Sequence, residues 1–105
     1  MEFAELKLKA LAVRGRYEAH EISTFGRAWS DEELLLGLLG DLGDLAKLIQ
    51  AREGVRAVEH VEERLEHELA DVLWSVIVLA ERCGIDLEAA FVQTMGELGA
   101  RIRPE

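Results

Sequence analysis

Residues 61–83 read VEERLEHELADVLWSVIVLAERC. Val61, Leu65, Leu69, Val72, Val76, Leu79 and Cys83 recur at alternating steps of four and three, which aligns all seven along one side of an α-helix. Between residues 72 and 80 the apolar side chains point in nearly every direction, as a helix enclosed on all sides requires. The segment therefore predicts a bundle with this helix near its centre.

The flanking sequence supplies its neighbours. Upstream, Ser30 followed three residues later by Glu33 forms a capping box, and Trp29 with Leu34 occupies the positions of a hydrophobic staple. Leu38, Leu42, Leu45 and Ile49 then make an apolar stripe that Gly54 is placed to end. Before residues 24–28, which read as a loop, Phe3, Leu6, Ala10, Val13 and Tyr17 predict a helix over about residues 3–21. Downstream, Gly84 is a stop and Asp86 an N-cap for a helix over residues 87–101 through Ala90, Phe91 and Met95. The expected fold is all-α, a bundle of about four helices in a single domain over residues 1–105. Three neighbours can hardly cover the stretch at residues 72–80, so a homodimer or homotetramer of closed symmetry is expected, with the outer positions around Ile77 and Val78 facing a partner copy. The alternative is a central helix well buried in a monomer.

The bulk composition narrows the function. The 21 acidic residues against 12 basic ones give a net charge of −9, a field that repels a phosphate backbone and argues against a nucleic-acid partner. A small phosphorylated ligand stays compatible if a metal supplies positive charge locally. Cys83 is the single cysteine, which precludes an intrachain disulfide and points to a reducing cytoplasm. Residues 1–9 alternate charged and apolar side chains and lack the layout of a signal peptide. Residues 72–80, broken by Ser75, fall far short of the roughly 20 apolar residues of a membrane span.

Two acidic pairs carry the chemistry. Asp41 and Asp44 stand at i, i+3 on the second helix, and Glu68 and Asp71 at i, i+3 on the third. Residues three apart project from one side of a helix, so adjacent antiparallel helices would close two two-carboxylate jaws on each other. Each charge pair about 4 Å apart costs about 4 kcal/mol at an effective dielectric of 20, and a divalent cation removes that repulsion. All-oxygen ligation favours magnesium or manganese, and no Cys and His cluster suggests zinc. The bland reading is four solvated acids, but Asp41 and Asp44 sit within a Leu-rich stretch and Glu68 and Asp71 border the most apolar one. Gly37, Gly40 and Gly43 each cost the second helix up to about 1 kcal/mol relative to alanine, which calls for close helix packing or a nearby ligand in compensation.

Over about residues 29–91 the sequence resembles the MazG-like all-α nucleoside triphosphate pyrophosphohydrolases, a group that also includes dimeric dUTPases. In that family Glu-x-x-Glu on one helix and Glu-x-x-Asp on the next hold magnesium, which holds the triphosphate. Glu68 and Asp71 match the second motif, and Gly84-Ile85-Asp86-Leu87-Glu88-Ala89-Ala90 is also similar to the family. Asp41 and Asp44 depart from the first, each one methylene short, so ligation there asks for closer helices or a bridging water. The family's Lys and Asn near the C-terminus have no counterpart among Glu97, Leu98 and Gly99. The resemblance implies house-cleaning hydrolysis of a nucleoside triphosphate to monophosphate and pyrophosphate, with magnesium on Asp41, Asp44, Glu68 and Asp71. Asp44 and Glu68 are the candidate bases. The competing reading is a non-catalytic nucleotide-binding or helical interaction module.

The remaining signals have two readings each. Lys47, one turn beyond Asp44, can meet a phosphate or a surface acid. Trp29 can stack on a base or serve only as the staple. His67 can orient Asp71 or face solvent. Cys83 reads most simply as a small core residue. The missing second His excludes the His-Glu-x-x-His zinc motif, and the absence of Glu-x-x-His excludes a di-iron bundle.

Overall fold

Local capping rules set the helix boundaries. The structure, a computed structural model, describes residues 1–102, and its elements are α1 (Phe3–Phe25), α2 (Asp31–Arg52), α3 (Val61–Arg82) and α4 (Leu87–Arg101). There is no strand among the described residues. Arg103 and Pro104 lie outside them. Ser30 Oγ accepts the Glu33 N–H at 3.2 Å while Glu33 Oε1 accepts the Ser30 N–H at 3.1 Å, so the capping box closes in both directions. Asp86 Oδ1 caps α4 by accepting the Ala89 N–H at 3.1 Å. α1 continues one turn past its expected end, taking in Thr24 and Phe25. It stops at Gly26, where φ of 81° admits the left-handed turn and the amide donates to the Ile22 carbonyl.

α2 and α3 form an antiparallel pair tied at both ends. Arg82 at the end of α3 meets Asp31 at the start of α2 at 2.6 Å, and Arg52 meets Glu62 at the opposite end at 3.5 Å. α1 lies against α3, where Trp74 Nε1 donates to the Ala10 carbonyl at 3.0 Å and the Trp74 ring meets that of Tyr17 at 5.7 Å. The buried apolar core is small: Ala10, Leu34, Leu48, Leu65, Ile77 and Val78.

The phases of the helices differ from those the apolar stripes suggest. Ile77 and Val78, expected to face a partner, are only 5% and 2% exposed and form the centre of the protomer. On α3 the outward positions are Leu69, Leu73 and Val76, while Glu68, Asp71 and Ser75 turn toward the interior. On α2, Leu42 and Ile49 are exposed while Leu34 and Leu48 are buried and Asp41 is half-buried. A shift of one position rotates a helix face by about 100°, and here it brings the acids into the α2–α3 gap. Cys83 is exposed and not a core residue. Close packing within the protomer does not account for Gly37, Gly40 and Gly43, since a Cβ on any of them would meet nothing within 4 Å.

Among its described residues α4 has none buried, and its main contact is with α3. The radius of gyration is 16.8 Å, against about 13 Å for a compact chain of this length. No helix among the described residues is long and apolar enough to cross a membrane.

Candidate metal centre

The inward turn of α2 and α3 sets the geometry. One oxygen from each of Asp41, Asp44 and Glu68 lies within 4.8 Å of the others. Asp71 is outside that group of three but half-buried beside it, and its charge helps to raise the Asp41 pKa. Burial is the main cause of that rise, followed by the charges of Asp71 and Asp44. Glu68 is raised for the same reasons, burial first and then Asp41, Asp71 and Asp44. Its Oε1 is buried with no hydrogen-bond partner. An orphaned carboxylate oxygen costs on the order of 1–3 kcal/mol or more, and no donor among the described residues answers it.

These residues fit a hard divalent cation. Neighbouring oxygens around magnesium stand about 3 Å apart and opposite ones about 4 Å, so a spread of up to 4.8 Å asks the three side chains to close on the ion. Among the described residues α2 and α3 share the most extensive contact of any two helices, and all four acids lie on this pair.

Two clefts flank the acids. One of about 440 Å³ borders Asp44 and Glu68 and is lined by Lys47, Arg56, Arg64 and His67. The other, of about 510 Å³, borders Asp41 and Asp71 and is aromatic, with Tyr17, Phe25, Trp29 and Trp74 in its walls. Lys47 and Trp29 thus stand on opposite sides of the centre. His67 is exposed and makes no hydrogen bond to Asp71.

A second ionic cluster was missed by sequence reasoning. Arg14 and Glu21, 6% and 3% exposed, form a two-pronged pair at 2.8 and 2.7 Å. Glu21 Oε1 also accepts the Trp29 N–H at 2.8 Å, fixing the α1–α2 connection. Arg14, above all through its hydrogen bonds, holds the Glu21 carboxyl below its ordinary value against the effect of burial. The available signal was spacing: Ala10, Arg14, Tyr17 and Glu21 follow one another at steps of four, three and four, continuing an inward face with charged residues.

Bundles that gather acidic side chains between neighbouring helices form a recognisable class of cation-binding fold. Within that class, residues 30–102, more than half of the chain, match the MazG nucleotide pyrophosphohydrolase domain, and the chain belongs to this family. No curated protein and no solved structure gave a match. All four acids lie inside the matched range, whereas Arg14, Tyr17, Glu21 and Trp29 precede it.

Proposed function

We propose that the protein hydrolyses a nucleoside triphosphate between the α and β phosphates, giving a monophosphate and pyrophosphate, with Asp41, Asp44, Glu68 and Asp71 holding magnesium or manganese. The observation that carries this reading is the buried, partnerless Oε1 of Glu68, on a carboxylate that gathers with those of Asp41 and Asp44. A divalent ion bound there would neutralise phosphate charge and make a water more acidic. Asp41 and Glu68, the acids that burial and their neighbours hold high in pKa, have the most to gain from a cation. Asp44 is the most exposed of the four and is disposed to accept a proton from an entering water; Glu68 is the other candidate. Trp29 belongs to the nucleoside side and Lys47 to the phosphate side, as their opposite clefts suggest. A cytoplasmic setting accords with the single free cysteine.

The exchange of two glutamates for Asp41 and Asp44 favours a second reading, a nucleotide-binding module without turnover. Incubation with a panel of triphosphates and magnesium or manganese separates the two. Monophosphate with pyrophosphate is the expected result, binding without product would establish the module, and diphosphate with inorganic phosphate would overturn the proposed bond.

A homo-oligomer is part of the proposal. Leu69, Leu73 and Val76 on α3 and Phe91, Val92 and Met95 on α4 are all more than a third exposed, and exposed apolar side chains that gather on one surface mark an interaction site. Light scattering at micromolar concentration is expected to give a multiple of the 11.7 kDa chain mass; a monomer mass would refute it.

A further inference from the structure

The cations of this chain are not distributed evenly with respect to their partners. Lys7, Arg14, Arg27, Arg52 and Arg82 each have an ion pair. Among the described residues six cations have none, nor any side-chain hydrogen bond: Lys9, Arg16 and Arg101, which lie apart from one another, and Lys47, Arg56 and Arg64. The last three come from α2, the α2–α3 connection and α3, yet all line the cleft that borders Asp44 and Glu68. The one other acid in its walls is Glu63. Once a divalent ion balances Asp44 and Glu68, the three fixed cations exceed Glu63 by two positive charges. An acidic protein that keeps three cations unpaired around one concavity is built there for an anion, and guanidinium forks suit phosphate oxygens in pairs.

We propose that this cleft receives the two phosphates that leave as pyrophosphate, with Arg56 and Arg64 as their principal side-chain contacts and Lys47 beside them. The inference rests on the triphosphate reading above and gives it a direction: the nucleoside lies toward the aromatic cleft on the Asp41 and Asp71 side, and the terminal phosphates lie toward the α2–α3 connection. It also identifies phosphate contacts within this chain in a region separate from the C-terminal stretch of Glu97, Leu98 and Gly99.

The test is calorimetric titration of the full chain with inorganic pyrophosphate in the presence of magnesium, comparing wild type with Arg56→Gln/Arg64→Gln. Both side chains are exposed and unpaired, so the double variant is expected to melt like wild type in EDTA. Its pyrophosphate affinity should fall at least tenfold, its KM for a hydrolysed triphosphate should rise, and its affinity for the nucleoside monophosphate should stay within about twofold. Arg16→Gln, which removes an exposed unpaired cation elsewhere on α1, should leave pyrophosphate affinity unchanged and so excludes a general charge effect. If triphosphate is hydrolysed but the double variant binds pyrophosphate as wild type does, the assignment of the cleft is wrong and the activity stands. If pyrophosphate binding depends on Arg56 and Arg64 but no triphosphate is hydrolysed, the cleft stands and the activity fails. Equal loss of monophosphate and pyrophosphate affinity would overturn the direction.

Discussion

The protein buries charge in two places and treats it oppositely. In α1 the Glu21 carboxylate receives three hydrogen bonds, two from Arg14 and one from the Trp29 amide, and its pKa is lowered. Between α2 and α3 the carboxylates of Asp41, Asp44 and Glu68 converge with no Lys or Arg ion pair among the described residues, and burial and mutual repulsion raise Asp41 and Glu68. In the first cluster the carboxylate is fully answered within the chain, and only Arg14 Nε is left without a hydrogen-bond partner. In the second the Glu68 oxygen has no such answer, and on the proposed reading the difference separates a group that holds the fold from one that takes a metal.

Substitutions at the two clusters should therefore fail in different ways. The largest effect is expected at Glu21: replacing it with alanine leaves the Arg14 guanidinium buried without its partner and should cost about 3–5 kcal/mol of stability, read by denaturant unfolding and independent of magnesium. A loss below about 1 kcal/mol would mean that Arg14 finds another acceptor, and the contrast between the clusters would weaken.

Glu68→Gln should do the reverse. In EDTA its melting temperature should hold or rise, by about 1 kcal/mol of stability at most, because it removes one of several repelling charges. Magnesium-dependent hydrolysis should drop at least about a hundredfold, or about 2.7 kcal/mol of barrier. Asp71→Asn is expected to follow the same pattern. If either variant melts well below wild type without metal, and magnesium raises mutant and wild type equally, the acid is structural.

The smallest effect is a pH dependence whose sign differs between the clusters. Glu21 is lowered from 4.5, so its contribution is present above that value and is lost as pH falls through its folded pKa. Asp41 and Glu68 are raised from 3.8 and 4.5, so the metal-free fold binds more protons than the unfolded chain above those values and loses stability as pH rises through the folded pKa values. In EDTA, stability should climb as pH falls from neutrality toward the ordinary carboxylate range and then decline below it. Melting curves with saturating magnesium should lack the climb, and Glu68→Gln without metal should keep only the part that belongs to Asp41. An identical profile in all three would remove the acids from the account.

What was legible in the sequence follows from how far each feature reaches. Ser30 with Glu33, Asp86, Gly54 and Gly84 act within one turn of themselves, and their helix ends lie where their spacing puts them. Of the four i, i+3 acids expected to converge, Asp41, Asp44 and Glu68 come together and Asp71 stands beside them; the approach was legible because helix geometry alone puts each pair on one side. Helix phase was harder, because apolar periodicity assumes that the inward face is apolar. Here Arg14, Glu21, Asp41 and Glu68 occupy inward positions, so Leu42, Ile49 and Leu69 were read as facing in when they face out. Ile77 and Val78 were misplaced for the same reason. Arg56 lies in a connection with no period to read, and its association with Arg64 and Lys47 depends on tertiary structure.

The three-way hydrogen bonding of Glu21 has a kinetic consequence. Trp29 precedes the first residue of α2 and belongs to no helix, so its amide would ordinarily exchange with deuterium as fast as any connecting residue allows. Because that amide is held by a carboxylate itself clamped by a buried guanidinium, it should exchange only when α1 separates from the rest of the bundle. Its exchange rate should therefore match the slow amides near the middle of α1, not the fast ones at Arg27 and Ala28 on the same loop.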